Sequence, residues 1–408
     1  MANLFSSGFW KFFLVFTLIF ISDDSLLFGT NGNTSFIYFK YFFYACVTGV
    51  MLFYDILSRK EFYSRVFLYC VSLLFLSFLS QIANQDFLLG NMFRCCLLLY
   101  ALCFVSRVSL NEFAQYFDML MYPLAILSLV LFSITFINDS FIIHFPVITN
   151  SASNKFFSIG VYNSFIPFIG RNYGFCREPG VYQAFLFFAI LFQLSGLIPA
   201  KTKKIVVYVV TLLTTLSTTG YIALICLLPL VVLRHKDLRL KNFFLMALLL
   251  IAFVLIYQYT DLLSADGKVF EKFYRTNYND GDSSVSRFAS VFCNAKIFLE
   301  NPFLGVGIEK IFQIFPTYSL EMFSAITKSN TNTILYFFAV HGVFYGFILS
   351  YFFLSFARCL TTKTIESIVI ALSLIVVCCG ELFYFSGWVY VFAFYGFNHF
   401  LGMNNESF

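Results

Sequence analysis

Apolar runs close to the length of a membrane-crossing helix follow one another along this sequence, and little between them is long enough to build a separate water-soluble core. Roughly 20 apolar residues cross a bilayer, and fewer suffice where neighbouring segments shield the ends. Twelve runs qualify, at 8–22, 36–57, 66–82, 87–105, 119–137, 179–198, 205–217, 220–233, 243–259, 333–356, 367–380 and 384–402. Only 12% of the residues are charged, about half the share in ordinary soluble domains. The expected fold is an all-α polytopic membrane protein of about 12 transmembrane helices, a single integral membrane domain over 1–408 with the lipid bilayer as partner. A net charge of +5 is too small and too scattered for a nucleic-acid footprint, so no nucleic acid is expected.

The short connections alternate in charge. Loops 58–65, 106–118, 199–204, 234–242 and 357–366 hold thirteen Lys and Arg, whereas 23–35, 83–86, 218–219 and 381–383 hold none. Lys and Arg remain on the cytoplasmic side, which places both termini there and puts the long stretches 138–178 and 260–332 outside. The first run has only Lys11 at its start and no small-x-small cleavage site after it, so it is expected to persist as an anchor. Most of the eleven cysteines lie in apolar runs, where Cys acts as a small hydrophobe, and their spacing fits no metal site. Cys176 and Cys293, in the external stretches, are expected as separate thiols.

The 73 residues of 260–332 hold fifteen of the chain's 47 charges, seven basic and eight acidic. Such a segment cannot lie in hydrocarbon and is too long for a connector. From Ser283 the spacing of Phe288, Val291, Phe292, Ala295, Phe298 and Leu299 predicts an amphipathic helix, with Ser283 or Ser284 as N-cap and Pro302 just beyond its end. The turn Asn301-Pro302-Phe303-Leu304-Gly305-Val306-Gly307 then reverses the chain. The expected result is a large, partly helical external loop over a membrane scaffold.

Several polar residues are candidates for chemistry. The first external stretch ends Gly170-Arg171-Asn172-Tyr173-Gly174-Phe175-Cys176-Arg177-Glu178-Pro179-Gly180, and Pro179 suits a first helical turn, so Arg177 and Glu178 stand at the mouth of the sixth span. The small polar break Leu216-Ser217-Thr218-Thr219-Gly220 reads as a structural turn between two short helices. His341 lies about 12 Å into the tenth span at 1.5 Å per residue, where an ionisable group is a functional candidate. Lys40, Asp55 and Arg94 are expected near span ends or in pairs.

Three stretches together resemble the O-antigen polymerase and O-antigen ligase superfamily of bacterial polysaccharide assembly. They are Gly174 to Gln183 around Arg177 and Glu178, Ser286-Arg287 followed by Asn301-Pro302-Phe303-Leu304-Gly305-Val306-Gly307, and Asn332 followed by His341-Gly342 and Gly346. Thr331 stands where ligase-type members carry a His before the Asn, and the pair Gly342 and Gly346 is one residue wider than theirs, which favours polymerase over ligase. The resemblance implies a metal-independent glycosyltransferase of the bacterial inner membrane that needs no cofactor. Its substrate would be an undecaprenyl-diphosphate-linked oligosaccharide, polymerised at the periplasmic face, with a polysaccharide chain-length regulator as partner. Arg177, Glu178 and Arg287 are then the catalytic candidates, with Arg171, Arg275, Asn332 and His341 for substrate binding. Departure of a diphosphate develops negative charge that fixed arginines take in bidentate fashion, and Glu178 is the expected base, ahead of His341 and Asp282.

Twelve spans suit a transporter equally, for instance a flippase of lipid-linked oligosaccharide. Against it stand the long external stretches and the lack of a clear internal repeat. Sidedness decides first, so reporter fusions after Lys204, Lys241 and Lys363 should report the cytoplasm, and those after Asn150 and Asp280 the outside. A cytoplasmic signal at Asp280 would contradict the assignment.

Overall fold

A computed structural model describes residues 7–57, 64–166, 170–234, 283–323 and 330–402. The ninth expected span, 243–259, together with Arg275 and Asp282, lies outside the described residues. The helices, in chain order, are α1 Gly8–Phe20, α2 Leu26–Gly29, α3 Thr34–Leu57, α4 Ser64–Asn84, α5 Leu89–Val105, α6 Leu110–Ile137, α7 Pro179–Ser195, α8 Thr202–Thr214, α9 Thr218–Arg234, α10 Ser283–Glu300, α11 Ile308–Phe323, α12 Thr333–Cys359, α13 Thr364–Gly380 and α14 Gly387–Phe400. Among the described residues, Thr34–Leu57, Arg65–Asn84, Leu110–Ile137 and Thr333–Cys359 are long and apolar enough to cross a membrane. Five further apolar helices are shorter, so length and composition alone do not yield twelve spans. Large apolar side chains such as Phe42, Phe53, Phe75, Phe78 and Phe347 stand exposed on the outside of the bundle. An apolar surface of that extent needs lipid, and the chain is an integral membrane protein.

The described residues fit the expected all-α fold, with one small sheet added. The stretch 138–178 carries a three-stranded antiparallel sheet, β1 Val147–Thr149, β2 Lys155–Ser158 and β3 Asn163–Phe165, in the order β1-β2-β3. Strands this short carry too little alternation to stand out in a sequence.

α7 is the axis of the bundle, since all 17 of its residues are buried. α12 packs along α14, and Gly396 makes that approach close: a Cβ there would stand 2.0 Å from the Phe352 carbonyl oxygen. At one pole Arg234 ends α9 and donates to the carbonyls of Leu194 and Ser195 on α7 and of Leu360 after α12, while its Nε meets Glu366 on α13 at 2.6 Å. One guanidinium thus satisfies helix-end carbonyls that have no partner within their own helices. Asp55 on α3 meets Arg107 at 2.6 Å and Asp118 on α6 meets Lys204, so each basic loop is tied to an acid on a helix other than the two it joins. At the opposite pole lie the start of α7, the α8–α9 break, the starts of α10 and α12, and the α13–α14 turn.

α10 runs Ser283–Glu300, but its buried face is not the aromatic one. Ala289, Ser290, Cys293, Asn294 and Ile297 face inward, while Phe292 and Leu299 are exposed. Small and polar residues win that face because they let α10 approach α12 and hydrogen-bond beside it. The amides of Asn294 and Asn330 exchange two hydrogen bonds of 3.0 and 2.8 Å, and Thr331 N donates to Ser290 Oγ at 2.8 Å.

α12 breaks at Gly342, whose φ of 80° and ψ of −175° are closed to ordinary residues. The groups freed by the break are taken up by the turn that follows α10. Val306 N donates to Ala339 O at 3.0 Å, Gly307 N to Val340 O at 3.0 Å, and Val343 N to Pro302 O at 2.7 Å. Backbone meets backbone here, so a Cβ on Gly342 would stand 2.1 Å from Phe303 O, and one on Gly305 2.3 Å from the Val340 carbonyl carbon. Ser80 and Asn84 of α4 donate to the carbonyls of Leu304 and Gly305, and Asp86 accepts from Ile308 N at the start of α11. Gly342→Ala should cost about 1–3 kcal/mol for a forbidden backbone conformation, seen as a lower melting temperature in detergent. Gly49→Ala, with nothing within 4 Å of the new Cβ, should be neutral or mildly stabilising.

Candidate functional site

The start of the buried axis helix α7 gathers the polar groups of the pole opposite Arg234. Pro179 takes the first helical position, and Glu178 before it leaves its side chain unused as a cap. Arg177 is turned back along the bundle top: its backbone N–H donates to Asp24 O at 3.0 Å, and its Nη2 donates to Leu382 O at 2.9 Å. Its Nη1 lies 3.5 Å from Glu178 Oε1, and its buried Nε has no partner among the described residues. The Glu178 side chain is about half exposed and the Arg177 side chain is 14% exposed. A buried arginine facing a wet carboxylate stands at the boundary between protein and water.

Glu381, between α13 and α14, completes this group and was not among the sequence candidates. It is 8% exposed, and its carboxyl lies in hydrogen-bonding reach of Glu178, with Arg177 and Arg287 close enough to act on its charge. Two glycines make the room. A Cβ on Gly180 would stand 1.9 Å from Glu381 Oε1, and one on Gly380 2.5 Å from Thr219 Cγ2. The turn itself is pinned: Thr333 Oγ1 donates to Glu381 O at 2.7 Å and accepts from Phe383 N at 2.8 Å, and Ser386 Oγ donates to Asp24 Oδ1 at 2.5 Å.

The α8–α9 break supplies the next wall. Leu216 takes a positive φ of 50° there. Arg171 holds the break from one side, with Nε donating to Thr215 O at 3.1 Å and Nη2 to Leu216 O at 3.3 Å, and Asn172 N donates to Thr214 O at 3.0 Å. Arg287, in the first turns of α10, donates from Nη1 to Thr218 Oγ1 on the other side. The break is therefore part of the site's frame, lying between two arginines far apart in the sequence.

Asn332 and His341 serve inside the fold. Asn332 is 2% exposed, caps α12 by accepting from Leu335 N at 2.9 Å, and donates to Cys379 Sγ at 3.4 Å. His341, also 2% exposed, bonds Tyr384 Oη through Nε2 at 2.6 Å and stacks on the same ring. Arg94 sits in that cluster rather than at a helix end, donating to Tyr345 Oη at 2.7 Å and to Ser77 Oγ. Lys40 pairs with Asp23 at 2.7 Å. Cys176 and Cys293 are both buried free thiols.

The charge balance follows from burial. Burial pushes Asp24 up to about 6, against the Ser386 hydroxyl and the charge of Arg177. Burial and the neighbouring Glu178 carboxylate push Glu381 well above the usual carboxylate range, against the pull of Arg177 and Arg287. A carboxyl with a raised value keeps its proton to higher pH, which removes negative charge from beside the arginines. Glu381 was missed because one acid in a three-residue connection carries no pattern. The signal that could have found it is a charged residue directly after Gly380 with no basic neighbour in its turn.

Residues 205–350 match a family model described as O-antigen ligase. The matched region holds Thr218, Arg287, Asn332 and His341, whereas Arg171, Arg177, Glu178 and Glu381 lie outside it. No curated protein matches the chain.

Proposed function

We propose, from the premise that the chain belongs to the O-antigen polymerase and ligase superfamily, that it is a polymerase lengthening a surface polysaccharide from undecaprenyl-diphosphate-linked units at the external membrane face. A role of polymerase or ligase type in polysaccharide assembly comes with the family; growth of the polymer, this donor and this face are the finer proposal. The observation that carries it is the placing of Arg177 and Arg287, from distant parts of the sequence, around one carboxyl at the start of the axis helix.

The chemistry asked of such a site is modest. The donor's diphosphate is already an activated leaving group, and its departure concentrates negative charge on oxygens. The start of α7 favours that charge through its dipole. Arg177 and Arg287 add planar, bidentate donors, and Arg171 keeps the Thr215–Leu216 wall in place. The acceptor hydroxyl must lose its proton, and Glu178, the exposed carboxylate, is placed to take it. Thr331, which donates to Ser290, stands where ligase-type relatives would offer a His, and this favours polymerase.

Arginine chemistry separates a transition-state role from a structural one. A partly exposed ion pair is worth about 0–1 kcal/mol and tolerates Lys, whereas losing a key charge-stabilising contact costs on the order of 100-fold or more. Arg177→Lys and Arg287→Lys proteins should accumulate in the membrane yet yield a single repeat unit instead of a ladder. A normal ladder in both variants at wild-type protein levels would contradict the proposal. In a deletion strain, a polymerase leaves one unit on the lipid core, a flippase leaves none, and a ligase leaves the core bare with polymer still on its carrier.

A further inference from the structure

We infer that Glu381 is a positioning residue that shares one proton with Glu178 and thereby sets when Glu178 can accept the acceptor's proton, an inference that rests on the glycosyl-transfer role proposed above. The geometry is that of a carboxyl pair with one member wet and one dry. Glu178 is about half exposed, Glu381 is 8% exposed, and the two carboxyls lie in hydrogen-bonding reach. Contact this close is built in, since Gly180 is the residue whose missing Cβ lets Glu381 Oε1 sit against the first turn of α7. The backbone of Glu381 is anchored to Thr333, which fixes where its side chain starts from.

The surroundings decide how many protons the pair holds. Facing it are Arg177 from the α7 side and Arg287 from α10, with Asp24 and Asp23 acting on Arg177 from the α1–α2 connection. Asp23 is paired with Lys40. α12 and the α8–α9 break offer only neutral groups here, Asn332, Thr333, Thr218 and Thr219. Two adjoining carboxylates with one of them buried repel, so one proton is retained where isolated carboxyls would both be ionised. Burial favours Glu381 as its holder, and its hydroxyl then donates to Glu178.

In the transfer step the acceptor oxygen forms a bond to the donor's anomeric carbon as the bond from that carbon to the diphosphate oxygen breaks. The electron pair leaves with the diphosphate, toward Arg177 and Arg287, and the hydroxyl proton goes to Glu178. Water beside the half-exposed Glu178 then removes that proton, and the pair returns to one. If the pair loses its last proton at high pH, Glu178 and Glu381 are both charged, the site turns acidic around the arginines, and the incoming diphosphate is repelled. If the pair gains a second proton at low pH, the base is gone. A bell-shaped dependence follows, whose limbs belong to the pair.

The test uses the full-length protein in vesicles with undecaprenyl-diphosphate-linked repeat units extracted from the producing cells. Chain growth is followed against pH for wild type, Glu381→Gln and Glu178→Gln, alongside infrared difference spectra of the carboxylic acid carbonyl stretch. Wild type should show an acid band at neutral pH that disappears on the alkaline limb of the rate. Glu381→Gln should lose both the band and the alkaline limb, because the amide still donates but cannot ionise. Glu178→Gln should lose about 100-fold or more in rate. An alkaline limb unchanged in Glu381→Gln, or a band unchanged by that substitution, overturns the inference. If Glu381→Gln fails to insert, the wild-type spectrum decides alone, since absence of an acid band at neutral pH overturns it as well. Wild type that shows the band but lengthens no glycan overturns the transferase role, a failure distinguishable from the loss of the shared proton.

Discussion

A helix that breaks inside a membrane protein must hand its freed backbone groups to a partner, because lipid offers none. At Gly342 that partner is the turn Pro302 to Gly307, and the exchange runs backbone to backbone on both sides. This clasp fixes more than α12. The turn is the continuation of α10, and α10 is also held to the approach of α12 by the Asn294–Asn330 and Ser290–Thr331 hydrogen bonds. Arg287 is therefore carried on a helix pinned beyond its C-terminal end and along its buried face. Without that, an arginine on an external loop would sample many positions, and the entropy of fixing it would have to come from the substrate.

The second constraint is electrostatic. Arginine and acid are crowded together at the top of a fully buried helix, an arrangement that is costly to desolvate unless the charges offset one another. The offset is partial by design of the surroundings: Asp24 and Glu381 are buried and pushed toward their protonated forms, and Glu178 remains wet. That lowers the negative charge which Asp24 and Glu381 set against Arg177. The same neighbours make Arg177 rigid, since its guanidinium is tied to the Leu382 carbonyl and its backbone to Asp24.

What was legible in the sequence followed local rules. The helix beginning at Ser283 and ending before Pro302 could be read from spacing and punctuation, and Pro179 marked the start of α7. Which face of α10 is buried could not, because apolar periodicity points to Phe292 and Leu299 while packing chose the smaller residues. Gly305 and Gly307 read as turn residues and Gly342 as one of a glycine pair inside the tenth expected span, yet their partners are each other's backbones across a gap in sequence. The Thr218 break read as a simple turn and instead carries contacts to two arginines. Glu381 and the three short strands left no periodic trace at all. The five shorter apolar helices fall below the roughly 20 residues that a lone span needs, so length alone does not mark them as spans.

The central claim is that one lipid diphosphate is held between Arg177 and Arg287 at the start of α7. A structure of the protein with its undecaprenyl-diphosphate-linked unit tests it most directly. Phosphate oxygens within hydrogen-bonding distance of both guanidinium groups, next to the Thr214–Gly220 break, is the expected result. A diphosphate bound at the Arg234 pole, or bound with Arg177 still on Leu382 and Arg287 still on Thr218 and neither touching it, would contradict the account.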